Sequence, residues 1–88
     1  MIVLKFGGTS VANAININKT IKIVSQKSSN NKLVVVVSAF SGITDKLLLA
    51  ATQASCKSKN YLEIYKEIET IHHTVAQDLL SKTVFDVF

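Results

Sequence analysis

The chain has 88 residues, of which 48% are hydrophobic at a mean hydropathy of +0.31, enough for one domain at most, burying roughly 60–65% of its unfolded surface. Its net charge of +4 comes from lysine with no arginine, which argues against sequence-specific nucleic-acid binding, where the arginine fork reads bases and clamps phosphates. The longest uncharged apolar runs are about five residues, far short of the roughly 20 that a membrane helix needs.

Residues 2–6 form an apolar run, "IVLKF", that reads as a buried strand, and "GGTS" follows it directly. From about Thr9 to Lys27, Val11, Ala14, Ile17, Ile21 and Val24 recur at spacings of three and four. That stripe predicts a helix, with Thr9 or Ser10 as its N-cap. Ser28 to Asn31 is a turn cluster that ends it. "KLVVVVSAF" then supplies a β-branched run, Val34 to Val37, of the kind found in strands buried on both faces. A second helix is expected from Ile43 to Cys56, opened by Thr44 and Asp45, and "KSKN" breaks it. A third runs from Tyr61 to about Leu80, with Tyr61, Ile64, Tyr65, Ile68, Ile71, Val75 and Leu79 on one face. No proline-rich linker, internal repeat or long low-complexity tract interrupts this order. The hydrophobic richness suits a piece of a larger α/β protein whose strands are covered on both faces.

Strand, helix, strand implies two parallel strands joined by a right-handed crossover. Both strands then end on the same sheet edge, where open α/β sheets bind ligands. "KFGGTS" and "SAFSGITD" should therefore lie near each other. Gly7 and Gly8 carry no Cβ to keep a phosphate from the backbone. The following helix start offers N–H groups at Thr9 and Ser10, and Lys5 can aim an ammonium at the same place. Such an anion pocket suits a phosphoryl group in transfer. The stretch is neither a P-loop nor a dinucleotide loop, and an ordinary tight turn explains a bare Gly-Gly equally well. In the second turn Ser38, Ser41 and Thr44 offer hydroxyls to a small carboxylate-bearing substrate. The plainer role for Ser41 is to cap the helix.

"VLKFGGTSVANA" (3–14) and "VVVVSAFSGITDKLL" (34–48) together resemble the N-terminal part of aspartate kinase, in the amino-acid kinase superfamily. The wording is most similar to the kinase half of bifunctional aspartokinase–homoserine dehydrogenases. The resemblance implies an α/β fold, the N-terminal portion of a three-layer αβα sandwich of the carbamate kinase-like kind, with order β-α-β-α-α and parallel strands. Residues 1–88 would be one fragment of that kinase domain. The implied reaction moves the ATP γ-phosphoryl group, with Mg²⁺, to the side-chain carboxylate of L-aspartate. The product is 4-phospho-L-aspartate, the first step toward lysine, threonine and methionine. Lys5 matches the family's catalytic lysine. Lys5, Gly7, Gly8, Thr9 and Ser10 are then expected at the ATP phosphates, and Ser38, Ala39 and Thr44 at aspartate. The family's acidic catalytic residue, its aspartate-holding arginine and most of its adenine pocket fall beyond residue 88. The 88 residues by themselves are thus expected not to phosphorylate aspartate.

The remaining features are plainer. Residues 1–59 carry eight lysines against one acid, and residues 60–88 two lysines against five acids, which suits a phosphate-rich small ligand near the first half, although most of these lysines read as solvated residues on helix surfaces. Cys56 is the single cysteine, so no intrachain disulfide forms, as suits a reducing cytoplasm. It reads as a packing residue near a helix end. Ile2 to Leu4 is too short for a signal segment. His72 and His73 point about 100° apart on a helix, and the spacing brings them no ligand set, so no metal is expected. Tyr61 and Tyr65 are expected in the core. Two other readings stay open: an α/β module that works by association, as a homo-oligomer or with a partner chain, through exposed strand edges, or a kinase of another amino acid.

Overall fold

The computed structural model describes residues 1–85. They form two compact units, one ending at Ser41 and the other beginning at Gly42.

In the first unit, β1 (Ile2–Phe6) and β2 (Leu33–Val37) pair in parallel, in register from Ile2 opposite Leu33 to Phe6 opposite Val37. The amide of Ile2 donates to Lys32 O at 2.9 Å and that of Ser38 to Phe6 O at 3.1 Å, closing the ladder at both ends. Burial alternates along β1. Ile2, Leu4 and Phe6 are half-buried, whereas Val3 and Lys5 are exposed, because successive side chains leave opposite faces of a strand. The connection is helical, as the stripe predicts, but it starts later. Gly8–Val11 is a 3-10 turn, and the α-helix, α1, spans Ala14–Ser28. Its N-cap is Asn13 rather than Thr9 or Ser10: the Asn13 Oδ1 accepts from the Asn16 amide at 2.9 Å. Asn13 outcompetes the earlier residues because its extended backbone leaves its carboxamide oxygen within reach of that amide. Along α1, Ala14, Ile17 and Val24 are half-buried as expected, but Thr20 rather than Ile21 turns inward.

The valines of β2 depart from expectation. Val34 to Val37 are 41–58% exposed rather than buried on both faces. A strand is buried twice only when helices lie over both sheet faces. Among the described residues this unit contains one helix, α1, and two strands. Every β2 residue therefore lies on an edge strand.

The second unit is helical: α2 (Ile43–Ser55), α3 (Tyr61–Leu79) and a short α4 (Lys82–Phe85). Gly42, in the left-handed conformation at φ +84°, is the N-cap of α2 and makes no side-chain capping bond, so Ser41 does not cap this helix. Asp45 sits in the first turn, where a carboxylate complements the helix dipole. On α2 the buried Ile43 and half-buried Lys46, Ala50 and Gln53 are spaced by three and four, a face that meets α3. Lys46 Nζ bridges to Glu67 Oε2 at 2.8 Å, with both side chains partly solvated. Such pairs contribute about 0–1 kcal/mol.

The end of α2 is a Schellman turn. The Lys57 amide donates to Ala54 O and the Ser58 amide to Gln53 O, each at 3.0 Å, with Lys57 at φ +59°. Cys56, its C-cap, is exposed rather than packed. On α3, Ile64, Val75 and Ala76 are buried and Ile68, Ile71 and Leu79 half-buried. Tyr61 and Tyr65 are 38% and 59% exposed, flanking this stripe instead of filling it. Long amphipathic rings can border an apolar face while their hydroxyls stay wet. A hydrogen bond to Glu69, and then its negative charge, hold the Tyr65 hydroxyl above its ordinary range.

Candidate functional site

The first unit brings the two turns together. A methyl group on Gly8 would lie 3.5 Å from Ser41 Cα and 3.6 Å from both Ala39 O and Ser41 N. The Ser38–Phe6 hydrogen bond sets the strand ends side by side, and Ser38 Oγ donates onward to Ala39 O at 2.8 Å. Lys5, Gly7, Gly8, Ser38 and Ala39 thus share one end of the sheet. Their proximity follows from the register, because parallel strands of five residues in full register must finish level. Thr44 belongs to the second unit, exposed in the first turn of α2.

The glycines of the first turn have no internal reason to be glycine. Gly7 sits at φ −80° and ψ −178°, an extended conformation open to any residue, and a Cβ there would meet nothing within 4 Å. Gly8 lies in the 3-10 turn, and Gly42 is the glycine with positive φ. A Cβ on Gly8 would make ordinary van der Waals contacts at 3.5 Å or more. The tight-turn explanation requires a left-handed backbone, and neither residue has one.

Lys5 is exposed and makes no ion pair or side-chain hydrogen bond among the described residues. It lies on the face of β1 opposite Phe6. On the Phe6 side, a hollow of about 200 Å³ opens between the turn and α1, lined among others by Thr9, Ser10, Lys19 and Thr20. Ser10 is partly committed: its amide donates to Gly7 O at 3.1 Å and its carbonyl accepts from Thr20 Oγ1 at 3.0 Å. The amides of Gly8 and Thr9 precede that first 3-10 bond. The expected long-helix dipole is not at the glycines, because α1 begins only at Ala14. A shallow groove of about 550 Å³ lies in the second unit around Lys46, Glu63, Lys66 and Glu67. The Lys46 ammonium there is already paired, and no glycine turn opens onto it.

The amino-acid pattern did not single out Asn13, Asn16 and Thr20. Their spacing of three and four, a narrow polar stripe beside the apolar one, is the signal that could have found them.

The family profile described as Amino acid kinase family matches residues 1–84. The chain belongs to the amino acid kinase family. Within it, the chain is 42% identical over 60 residues to an aspartokinase of Rickettsia prowazekii (strain Madrid E), covering 67% of this chain and 14% of that protein. It is 37% identical over 77 residues to the chloroplastic bifunctional aspartokinase/homoserine dehydrogenase 1 of Zea mays, covering 88% of this chain and 8% of that protein. An aspartokinase of Mycolicibacterium smegmatis is 46% identical over 56 residues, 62% of this chain and 13% of its own length. The chain therefore spans a small part of the relatives it matches. The parallel strand–helix–strand order read from the sequence is the N-terminal α/β arrangement consistent with this family.

Proposed function

We propose that this chain supplies the phosphate-facing and part of the substrate-facing wall of an aspartate kinase. In the proposed reaction, a side-chain carboxylate oxygen of L-aspartate attacks the γ-phosphorus of ATP. The bond to the β-phosphate oxygen breaks, and ADP leaves with the electron pair. An aspartate carboxylate is ionised at neutral pH, its ordinary pKa being about 3.9, so the reaction needs no base to create the nucleophile. What it needs is alignment and neutralisation of negative charge. Lys5 brings to the strand end a positive charge that has no ion-pair partner among the described residues. Gly7 and Gly8 leave the backbone open to phosphate oxygens, with Thr9 and Ser10 following them. Ser38 and Ala39, across the register, face the amino-acid substrate; Thr44 is proposed as a further aspartate contact on the match of its motif alone. None of Lys5, Gly7, Gly8, Thr9 and Ser10 is a carboxylate, so this donor set suits phosphate rather than a bare divalent ion. The Mg²⁺ of the reaction would ride on the ATP phosphates, where it screens their charge.

The observation that carries this reading is the glycine pair, which neither backbone conformation nor internal packing requires. At Gly7, where a Cβ would meet nothing within 4 Å, the cleared space is open to an incoming group. The names of the relatives support aspartate as acceptor over another amino acid. The decisive experiment is Lys5→Ala in the full-length protein, with aspartyl phosphate trapped as its hydroxamate. Losing a charge aimed at the transition state should lower kcat on the order of 10²–10³-fold while circular dichroism stays unchanged. Near-normal turnover would leave Lys5 a structural residue.

The exposed valines of β2 favour a second reading, association through the sheet. It is compatible with the first if the protein is a homo-oligomer. Size-exclusion chromatography with and without ATP separates them, because a purely associating module would show no nucleotide effect.

A further inference from the structure

We propose that Asn16 and Thr20 of α1 are positioning residues that hold the Gly7–Ser10 turn in its phosphate-receiving shape. The inference rests on the kinase reading above and adds two residues that touch no substrate in it. Thr20 is the buried polar side chain among the described residues, 8% exposed. A buried hydroxyl without a partner is costly, and this one donates to Ser10 O at 3.0 Å. One turn earlier on the same face, Asn16 Nδ2 donates to the preceding carbonyl, Thr9 O, at 2.9 Å. The Asn16 backbone is in turn capped by Asn13 Oδ1 at 2.9 Å. Two consecutive carbonyls of the turn are thereby tied to α1.

Each carbonyl oxygen carries partial negative charge that would repel a phosphate, so committing both to α1 removes that repulsion from the turn's open side. The orientation also propagates. In a trans peptide the N–H points opposite to the C=O, so fixing Thr9 O fixes the Ser10 amide. That amide closes on Gly7 O at 3.1 Å, carrying the constraint back to the first glycine. The helix that crosses between the strands thus sets the loop through two side-chain donors.

The test compares Thr20→Val, Thr20→Ser and Asn16→Ala in the full-length protein. Valine keeps the shape and burial of threonine but lacks the donor. Thr20→Val should raise KM for ATP about two- to tenfold, the factor carried by one net hydrogen bond. KM for aspartate and kcat should stay near wild type, Thr20→Ser should restore the ATP value, and Asn16→Ala should match Thr20→Val. A Thr20→Val protein with wild-type KM for ATP overturns the proposal. So does one that loses affinity for both substrates in step with its folded fraction, since that is a merely structural role. If wild-type protein bound no ATP, the kinase reading would fail, and amide hydrogen exchange at Gly8–Val11 would decide the hold on the turn by itself. Faster exchange in Thr20→Val, reversed in Thr20→Ser, supports the hold; unchanged exchange removes it.

Discussion

The two glycine turns look alike as text and are built on different physics. Gly42 occupies the left-handed region at φ +84°, and nothing lies within 4 Å of its missing Cβ. Its glycine is explained by conformation alone. Gly7, at φ −80°, has the same empty surroundings without the backbone demand. Its glycine is explained by neither. Lys57 sharpens the contrast, since it adopts φ +59° at the end of α2 with a full side chain. A chain with three glycines leaves one left-handed position to lysine and puts two glycines where the backbone does not ask for them. Glycine therefore marks a turn in one place and open space in the other.

The comparison can be broken at three positions beyond the kinetic tests of Lys5 and Thr20. The largest expected stability effect is at Gly42. Alanine there must hold a left-handed conformation, which costs about 1–2 kcal/mol, read as a lower urea midpoint at unchanged slope. An unaltered midpoint would mean that the turn relaxes and that conformation does not explain Gly42. Next is Lys57→Gly, which should relieve the same kind of strain and stabilise by about 1 kcal/mol, seen as a higher midpoint in the same assay. A loss would show that the Lys57 side chain makes contacts worth more than its backbone strain. Smallest is Gly7→Ala, whose extended backbone accepts a methyl group. Stability should hold or rise by about 0.4–1 kcal/mol, while ATP affinity falls in a parallel titration. A destabilised Gly7→Ala protein would return Gly7 to the role of a turn former and remove the main support for an anion pocket.

Local rules were legible wherever neighbours in sequence decide the outcome. The first strand, the limits of α2 and most of α3 follow from apolar runs and helical spacing. The helix between the strands was legible as a helix, yet its start was displaced from Thr9 to Ala14. Thr, Ser and Asn at positions 9, 10 and 13 are all good caps, and propensity does not choose among them. The displacement matters because it exchanges a helix terminus at the glycines for a short 3-10 turn held by side chains. The inward turn of Thr20 was invisible for a related reason. A threonine next to Ile21 looks like the polar border of an apolar stripe until Ser10 O provides its acceptor. The tyrosines of α3 failed differently: periodicity put them on the stripe, but nothing in it specifies how wide the covered strip is.

By itself, the sequence determined the parallel strand–helix–strand order, the ending of both strands at one sheet edge and the kinship carried by the two glycine turns. These follow from periodicity, the topology of a parallel crossover and residue wording, which need no knowledge of distant contacts. Only the tertiary structure decided which glycine is conformational and which keeps space clear. That distinction lives in φ and in what a Cβ would meet, and both depend on how the turn is folded. Tertiary structure likewise decided that the valines of β2 stand exposed within their unit, because burial is a property of the layers around a strand.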